Sequence, residues 1–256
     1  MSAAGGGADT EPADTGPADA EPAEVGGAVR AHHVEVPRTA RYYTAGDAGA
    51  ARQVWLALHG YGQLAGYFVR HFAEHAGAGS GRLVVAPEAL SRFYVSREDR
   101  TSGAPARVGA TWMTREDRDA EIADYVRYLD RALDAAVPGV DFAAVALGVL
   151  GFSQGAATAC RWAAHRRRRG LPAPGALVLW GGALPHDFDL AGADGEALRA
   201  LRLTLVAGDA DEFATPALVA EQEARLRDAG VACAVVRYTG GHRLDAGVLG
   251  RVLAAA

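Results

Sequence analysis

The sequence predicts an α/β fold in which one mostly parallel sheet has helices on both faces. Apolar runs of strand length alternate with segments of helical periodicity along the chain, a pattern typical of parallel sheets with crossover helices. Most of these runs are continuously apolar, as expected for strands buried on both faces. The chain has 256 residues, 50% of them hydrophobic, which suffices for one sizeable core. No insertion is long enough for a separate cap domain.

The composition divides the chain near residue 30. Residues 1–30 are mostly Ala, Gly, Pro, Asp, Glu and Thr, with too little apolar surface to offset the entropy lost on folding. We predict that they form a disordered tail and that residues 31–256 form a single folded domain. The tail holds six acids and one base, which accounts for the whole net charge of -5. The folded part is therefore near neutral, and nothing in it indicates a nucleic-acid partner.

Two features of the sequence indicate the cellular compartment of the protein. No apolar run approaches the length of a membrane span, and the N-terminus lacks the basic and apolar regions of a signal peptide. Cys160 and Cys233 lie in apolar patterns, so we expect buried free thiols in a reducing compartment. Together these features predict a cytoplasmic protein without stable membrane insertion. The sequence allows a homodimer but contains nothing that requires one.

The first elements in chain order are short strands and one helix. An edge strand or hairpin is expected over residues 32–43, where Pro37 suits an edge position. The apolar runs at 54–58 and 83–87 predict two buried strands, and residues 64–76 between them have helical spacing.

Residues 88–112 form a connection that is too long for an ordinary loop, and we expect a flap or hairpin there. Phe93, Trp112 and Met113 are candidates for the apolar wall of a substrate pocket, and plain core packing is the alternative for all three. The chain has no Cys/His spacing typical of a metal site.

The second half continues the alternation. The clearest helix covers residues 114–136, where an apolar stripe recurs and Thr114 with Asp117 approximates a capping box. Thr215-Pro216 predicts the start of a helix that ends at Gly230. The remaining strands are predicted at residues 176–182, 203–207 and 233–238, and a short helix closes the chain.

A serine motif follows the apolar run that begins at Val145. Gly151 to Gly155 have the sequence G-F-S-Q-G, and an alanine-rich helical pattern comes next. In a strand–turn–helix context, G-x-S-x-G predicts a nucleophile elbow with Ser153 at the apex of a strained turn. The two glycines leave room where side chains would collide with the neighbouring strand and helix.

Other chemically active side chains follow other predicted strands. His59-Gly60-Tyr61, Asp209, Asp211 and His242 lie in loops that follow apolar runs. The carboxyl ends of parallel strands meet at one edge of the sheet, so these residues are expected near Ser153. A serine needs a histidine to take its proton, and a carboxylate fixes the imidazole tautomer. The order Ser, Asp, His predicts a triad of Ser153, an aspartate and His242.

The sequence identifies the acid of the triad less clearly than the serine and the histidine. Asp209 follows the strand immediately and could brace the loop through its own hydrogen bonds, whereas Asp211 lies where a carboxylate can reach His242. We favour Asp211 on this argument and on the family pattern given next. Asp187 and Asp189 are a distant third alternative.

These motifs together resemble the phospholipase/carboxylesterase family of α/β-hydrolases, which includes acyl-protein thioesterases. The similarity rests on L-H-G-Y-G at 58–62, G-F-S-Q-G at 151–155, G-D-A-D at 208–211 and G-G-H at 240–242, within residues 31–256. It implies the α/β-hydrolase fold and a hydrolase for esters or thioesters without metal or cofactor.

The resemblance also implies site roles. Ser153 is the nucleophile, Asp211 the acid and His242 the base, and the backbone N–H groups of Tyr61 and Gln154 form the oxyanion hole. Two departures concern the substrate. Gln63 stands where many members have Asp, and the region 93–113 differs from the loops of the lipid-protein thioesterases.

Three functional hypotheses follow. The first is a serine esterase that acts on a small-molecule ester through an acyl-enzyme intermediate, with thioesters or lysophospholipids as further substrates. The second is a non-catalytic ligand-binding protein on the same fold. The third is a peptidase or a dienelactone-type hydrolase. A peptidase of this fold usually has an extra domain, and a dienelactone hydrolase typically has a cysteine where this chain has Ser153.

Overall fold

A computed structural model describes residues 29–95 and 106–255. The chain divides into two units, Met1–Thr39 and Ala40–Ala256. In the first unit, the described residues 29–39 form neither helix nor strand. The predicted boundary at residue 30 stays a prediction, and the tail lies almost wholly outside the described residues. Every helix and strand given below belongs to the second unit.

The second unit is built on a seven-stranded sheet in the order β1-β3-β2-β6-β7-β8-β9. The edge strand β1 runs antiparallel to β3, and the other neighbours are parallel. The mostly parallel sheet predicted from the alternation of apolar runs is thereby confirmed. Its strands are β1 Tyr42–Ala45, β2 Gln53–Leu58, β3 Arg82–Pro87, β6 Ala146–Phe152, β7 Ala176–Trp180, β8 Arg202–Gly208 and β9 Cys233–Tyr238.

The helices connect successive strands and cover both faces. They are α1 Ala65–Phe68, continued by a 3-10 helix Val69–His75, then α2 Arg118–Ala136, α3 Gln154–Arg168, α4 Ala193–Arg199, α5 Pro216–Asp228 and α6 Ala246–Ala254. A further 3-10 turn covers Ala48–Ala50. None of the helices in the described ranges is both long and apolar enough to cross a membrane.

The central strands divide the core into two apolar layers. Along β2, Leu56 and its alternate neighbours pack with α2, α3, α4 and α5. Trp55 and Ala57 point to the opposite face and pack with Phe68, Phe72 and α6. Because both faces of the strand are covered, every residue from Val54 to Leu58 is fully buried, which explains the continuous apolar run.

The excursion after β3 contains a hairpin, as expected. Its strands β4 Ser91–Tyr94 and β5 Val108–Thr111 pair antiparallel outside the main sheet. Glu88, at the base of this excursion, has a fully buried carboxylate that accepts hydrogen bonds from Arg41 and Arg92. Burial alone would raise the pKa of Glu88, but the two guanidinium groups outweigh it and hold the pKa below its usual value.

Two predicted boundaries differ from the structure. The helix expected at 114–136 begins at Arg118, and Asp117 precedes it with a φ of 48° and no capping hydrogen bond from its side chain. Thr114 is instead bound by Glu121, whose carboxylate accepts from the threonine N–H and hydroxyl. The opening strand is confined to β1, because Tyr42 to Ala45 are the residues that pair with β3.

The two cysteines are free thiols, as predicted, but only Cys160 is fully buried. Burial raises the pKa of the Cys160 thiol. Cys233 is half-buried, and burial followed by the charge of Glu223 raises its pKa to about 11. Both thiols are therefore protonated and weakly nucleophilic at neutral pH.

Candidate active site

Ser153 occupies a sharp turn between β6 and α3. Its backbone has a φ of 54° and a ψ of -119°, a positive-φ conformation that non-glycine residues rarely adopt. The turn is tight because a Cβ on Gly151 would lie 2.1 Å from the Gly155 carbonyl oxygen, and one on Gly155 would lie 2.3 Å from that of Leu58. The Ser153 N–H donates to the Trp180 carbonyl at 2.8 Å, which ties the turn to β7.

His242 and Asp211 are in direct contact. The imidazole Nδ1 lies 3.0 Å from Asp211 Oδ1 and 2.9 Å from Oδ2, and the carboxylate is fully buried. The N–H groups of Phe213 and Ala214 also donate to Oδ1, which fixes the carboxylate in place. A carboxylate on Nδ1 keeps that nitrogen protonated and leaves the Nε2 lone pair available as a base.

The glycine pair after β7 lies against both the serine and the histidine. A Cβ on Gly181 would lie 3.0 Å from His242 Cε1, and one on Gly182 would lie 2.5 Å from the Ser153 carbonyl oxygen. The ring of Phe152, which precedes Ser153, also lies 4.7 Å from the His242 ring. The structure therefore brings the serine, histidine and aspartate predicted from the sequence to one edge of the sheet.

The competing aspartates have other partners. Asp209 Oδ1 accepts a hydrogen bond from the Gly240 N–H at 2.9 Å, so Asp209 braces the loop that carries His242. Asp187 contacts the guanidinium groups of Arg161 and Arg118. Burial alone would raise the pKa of Asp187, but hydrogen bonds and charge from the two arginines lower it to about 2. Among these residues, Asp211 is the one that contacts His242.

The two residues expected to supply the oxyanion hole lie in segments next to Ser153. Gln154 is the first residue of α3, and a Cβ on Gly60, which precedes Tyr61, would lie 3.1 Å from Ser153 Cβ. Within the described ranges, neither the Tyr61 N–H nor the Gln154 N–H donates to a protein acceptor. Two such groups near a nucleophile can stabilise a developing negative charge.

His59 stabilises the loop that carries Tyr61. The Ala89 N–H donates to His59 Nε2 at 3.1 Å, so the proton lies on Nδ1, which donates to the Gly60 carbonyl at 2.8 Å. The side chain is fully buried, and this burial lowers its pKa. His59 is therefore a neutral structural residue that links the end of β2 to the segment after β3.

Gln63 and Gln154 use their side chains to hold the same region. Gln63 Oε1 accepts from the Gly60 N–H at 2.9 Å and so closes this loop. Gln154 Oε1 accepts from the Trp112 N–H at 3.1 Å, and its Nε2 donates to the Met113 carbonyl at 3.0 Å. No sequence pattern indicates these side-chain contacts.

The three residues expected to wall a pocket have different environments. Trp112 is 2% exposed, and its indole N–H donates to the His59 carbonyl, so its environment is that of core packing, the alternative given for this residue. Met113 is half-buried beside the Arg161 guanidinium. Phe93 is also half-buried, and its ring lies 5.0 Å from that of Tyr61, which is 61% exposed.

One aromatic residue of the site was not predicted. Phe213 is 65% exposed, and its ring centroid lies 4.7 Å from that of His242. Its position two residues after Asp211 was the available signal. In the part of the chain that the structure describes, no group of three His, Cys, Asp or Glu side chains could hold a metal ion.

The fold is shared with known hydrolases. Acyl-protein thioesterase 2 of Zea mays has a TM-score of 0.59 and 20% identity, with 85% of this chain and 97% of that chain covered. Esterase PE8 has a TM-score of 0.55 and 21% identity, covering 85% and 96%. A phospholipase/carboxylesterase from Dyadobacter fermentans DSM 18053 has a TM-score of 0.56 and 16% identity, covering 87% and 100%. These likenesses confirm the α/β-hydrolase fold.

A comparison with curated proteins finds no match. The sequence does, however, match the model of a protein family. The model of the serine hydrolase family FSH1 matches residues 51–244, which include the elbow and the two loops that carry Asp211 and His242. The chain is therefore a hydrolase that belongs to the FSH1 serine hydrolase family.

Proposed function

We propose that this protein is a serine esterase that cleaves small-molecule carboxylic esters, with Ser153, His242 and Asp211 as its triad. The observation that carries the proposal is the contact between His242 Nδ1 and the buried Asp211 carboxylate, beside a serine held at a φ of 54°. This arrangement has the order and the partners that the chemistry requires.

The reaction has two halves. Ser153 Oγ attacks the ester carbonyl while His242 Nε2 takes its proton, and the oxyanion accepts hydrogen bonds from the N–H groups of Tyr61 and Gln154. The C–O bond to the leaving group breaks, and the alkoxide leaves as an alcohol with the proton from His242. Water then gives a proton to His242 and attacks the acyl group. The acid is released, and Ser153 regains its proton.

The exposed aromatic rings suggest where substrate carbon would pack. Tyr61 and Phe93 stack beside one proposed oxyanion donor, and Phe213 lies on the His242 ring. His242 protonates the leaving group, so the side of the site where Phe213 lies would hold the alcohol portion. Thioesters and lysophospholipids have the same reacting carbonyl and belong in the same substrate screen.

The proposal is tested by hydrolysis of p-nitrophenyl esters of increasing acyl length, with wild type and Ser153→Ala measured in parallel. We expect turnover by the wild type, a loss of at least about 10³-fold in the variant, and an unchanged melting temperature. A fluorophosphonate probe should label Ser153 in the wild type alone. A folded wild-type protein with neither turnover nor labelling would favour a ligand-binding protein instead.

A further inference from the structure

A short segment that begins in the second half of β5 and continues past its end, Ala110–Met113, lies between the two loops that carry the proposed oxyanion donors. On one side it pairs with the loop after β2. The Gly62 N–H donates to the Ala110 carbonyl at 3.0 Å, and the Ala110 N–H donates to the Gln63 carbonyl at 3.1 Å. These bonds fix the chain directly beyond Tyr61.

The same segment binds the elbow through one side chain. Gln154 uses both ends of its amide: Oε1 accepts from the Trp112 N–H at 3.1 Å, while Nε2 donates to Thr111 Oγ1 at 2.9 Å and to the Met113 carbonyl at 3.0 Å. Its own backbone N–H is the second proposed donor. The residue that supplies the donor is thus anchored to the segment that holds the other donor.

Two further contacts make this connection tight. The Trp112 indole N–H donates to the His59 carbonyl at 2.8 Å, and its ring centroid lies 5.2 Å from that of His59. A Cβ on Gly109 would lie 2.5 Å from the Gly62 carbonyl oxygen, so the two backbones are in direct contact. The segment leaves little freedom for the first loop to move relative to the elbow.

We propose that Ala110–Met113 is a strut that sets the separation of the two oxyanion donors, and that the Gln154 amide is its positioning residue. This inference rests on the proposed esterase function. An oxyanion hole works only when its donors lie about 2.7–3.1 Å from the developing charge. A displacement of about 1 Å can lower the rate by about 10²-fold. The Gln154 amide would therefore act on catalysis without touching the substrate.

The first test compares wild type with Gln154→Leu, which keeps the backbone donor and removes the three side-chain bonds. We expect kcat for p-nitrophenyl esters to fall by about 10- to 100-fold while KM changes by less than about 3-fold. The affinity for a trifluoromethyl ketone, which forms an oxyanion on Ser153, should fall by the same factor as kcat/KM. Wild-type kcat and ketone affinity in a folded variant would overturn the inference.

A second variant keeps the test decisive if Gln154→Leu does not fold. Thr111→Val removes the hydroxyl that accepts from Gln154 Nε2 and retains the size of the side chain. Thr111→Val alone should lower kcat by a smaller factor and leave KM nearly unchanged, and wild-type kcat and ketone affinity in this variant would overturn the inference. Where Gln154→Leu folds, the double variant should lose less than the product of the two single losses, because both changes break one network. If the two losses of kcat multiply in the double variant, the residues act independently and the proposed role of the strut is contradicted. Failure of the esterase proposal is distinguishable, since the wild type would then be inactive as well.

Discussion

At the scale of single residues, two aspartates two positions apart have different roles. Asp211 is buried and contacts His242, whereas Asp209 is exposed and accepts from the backbone N–H of Gly240. Both hold the histidine loop, but only Asp211 contacts the imidazole. Its chemical role would be to fix the tautomer and to stabilise the imidazolium that forms during proton transfer.

Paired amide variants separate these roles. We expect Asp211→Asn to lower kcat by about 10³- to 10⁴-fold, because the amide would favour the wrong imidazole tautomer. Asp209→Asn retains an oxygen that can accept from Gly240, so its kcat should fall by less than about 10-fold. Steady-state hydrolysis of one p-nitrophenyl ester by both variants is the measurement. Equal losses would contradict the assignment of Asp211 as the acid.

Phe213 offers a test of substrate contact. If its exposed ring packs on the leaving group, Phe213→Ala should raise KM for an aryl ester by about 5-fold, corresponding to about 1 kcal/mol of lost apolar contact. An ester with the same acyl group and a small alkyl leaving group should be less affected. Leu171→Ala is the control, because Leu171 follows the C-terminal end of α3 and Ser153 precedes the N-terminal end of this helix, which is roughly 22 Å long. Equal increases of KM for both esters would show that Phe213 does not contact the leaving group.

At the scale of elements, His59 joins the end of β2 to the segment after β3 and ties stability to pH. Burial lowers its pKa in the folded state, while the unfolded state takes up a proton near pH 6.5. Below that pH the unfolded chain binds more protons. Stability should therefore fall as the pH decreases from about 6.5 towards the lowered pKa of the folded state.

Comparison of wild type with His59→Gln isolates the contribution of His59 to the pH dependence of stability, because the rest of the chain is the same in both proteins. The difference in unfolding free energy between wild type and variant should shrink between about pH 7.5 and 5.5, by up to about 1.4 kcal/mol per pH unit. Urea unfolding at several pH values measures it. A difference that does not change with pH would contradict a neutral, buried His59.

The elements that could be predicted from sequence are those whose pattern is set locally. The central strands are apolar on both faces, and the glycines of the elbow are required by close backbone contacts, so both are visible in the sequence. The start of α2 could not be predicted from the sequence, because Glu121 binds Thr114 across the turn and the helix begins only at Arg118. Such a side-chain contact competes with capping and leaves no periodic pattern.

The candidate site likewise has features that the sequence predicts and features that it does not. Ser153, Asp211 and His242 follow strands that share one edge of the sheet, so topology alone predicts that they meet. The contacts of Gln154 and the burial of Trp112 depend on how the hairpin folds back onto the elbow. That arrangement joins residues about forty positions apart in the chain, and sequence spacing contains no information about it.

At the scale of the whole molecule, the regular elements of the described residues lie between Tyr42 and Ala254, and the family match lies within that range. We expect a chain that lacks residues 2–39 to keep the kcat/KM of the full chain within about 2-fold, and its melting temperature within about 2 °C. This deletion retains Arg41, which pairs with the buried Glu88 and accepts from the Tyr128 hydroxyl. A clear loss of activity would assign the N-terminal unit a role in the site.

A longer deletion of residues 2–48 should behave differently, because it removes β1. The strand β3 would then become the edge of the sheet, with unpaired N–H and C=O groups along Val84 to Pro87. Glu88 would also lose one of its two arginine partners while it remains buried. We expect a lower melting temperature and concentration-dependent association, measured by light scattering. If both deletions behaved alike, β1 would contribute neither stability nor edge protection, and the sheet would be self-sufficient from β3 onward.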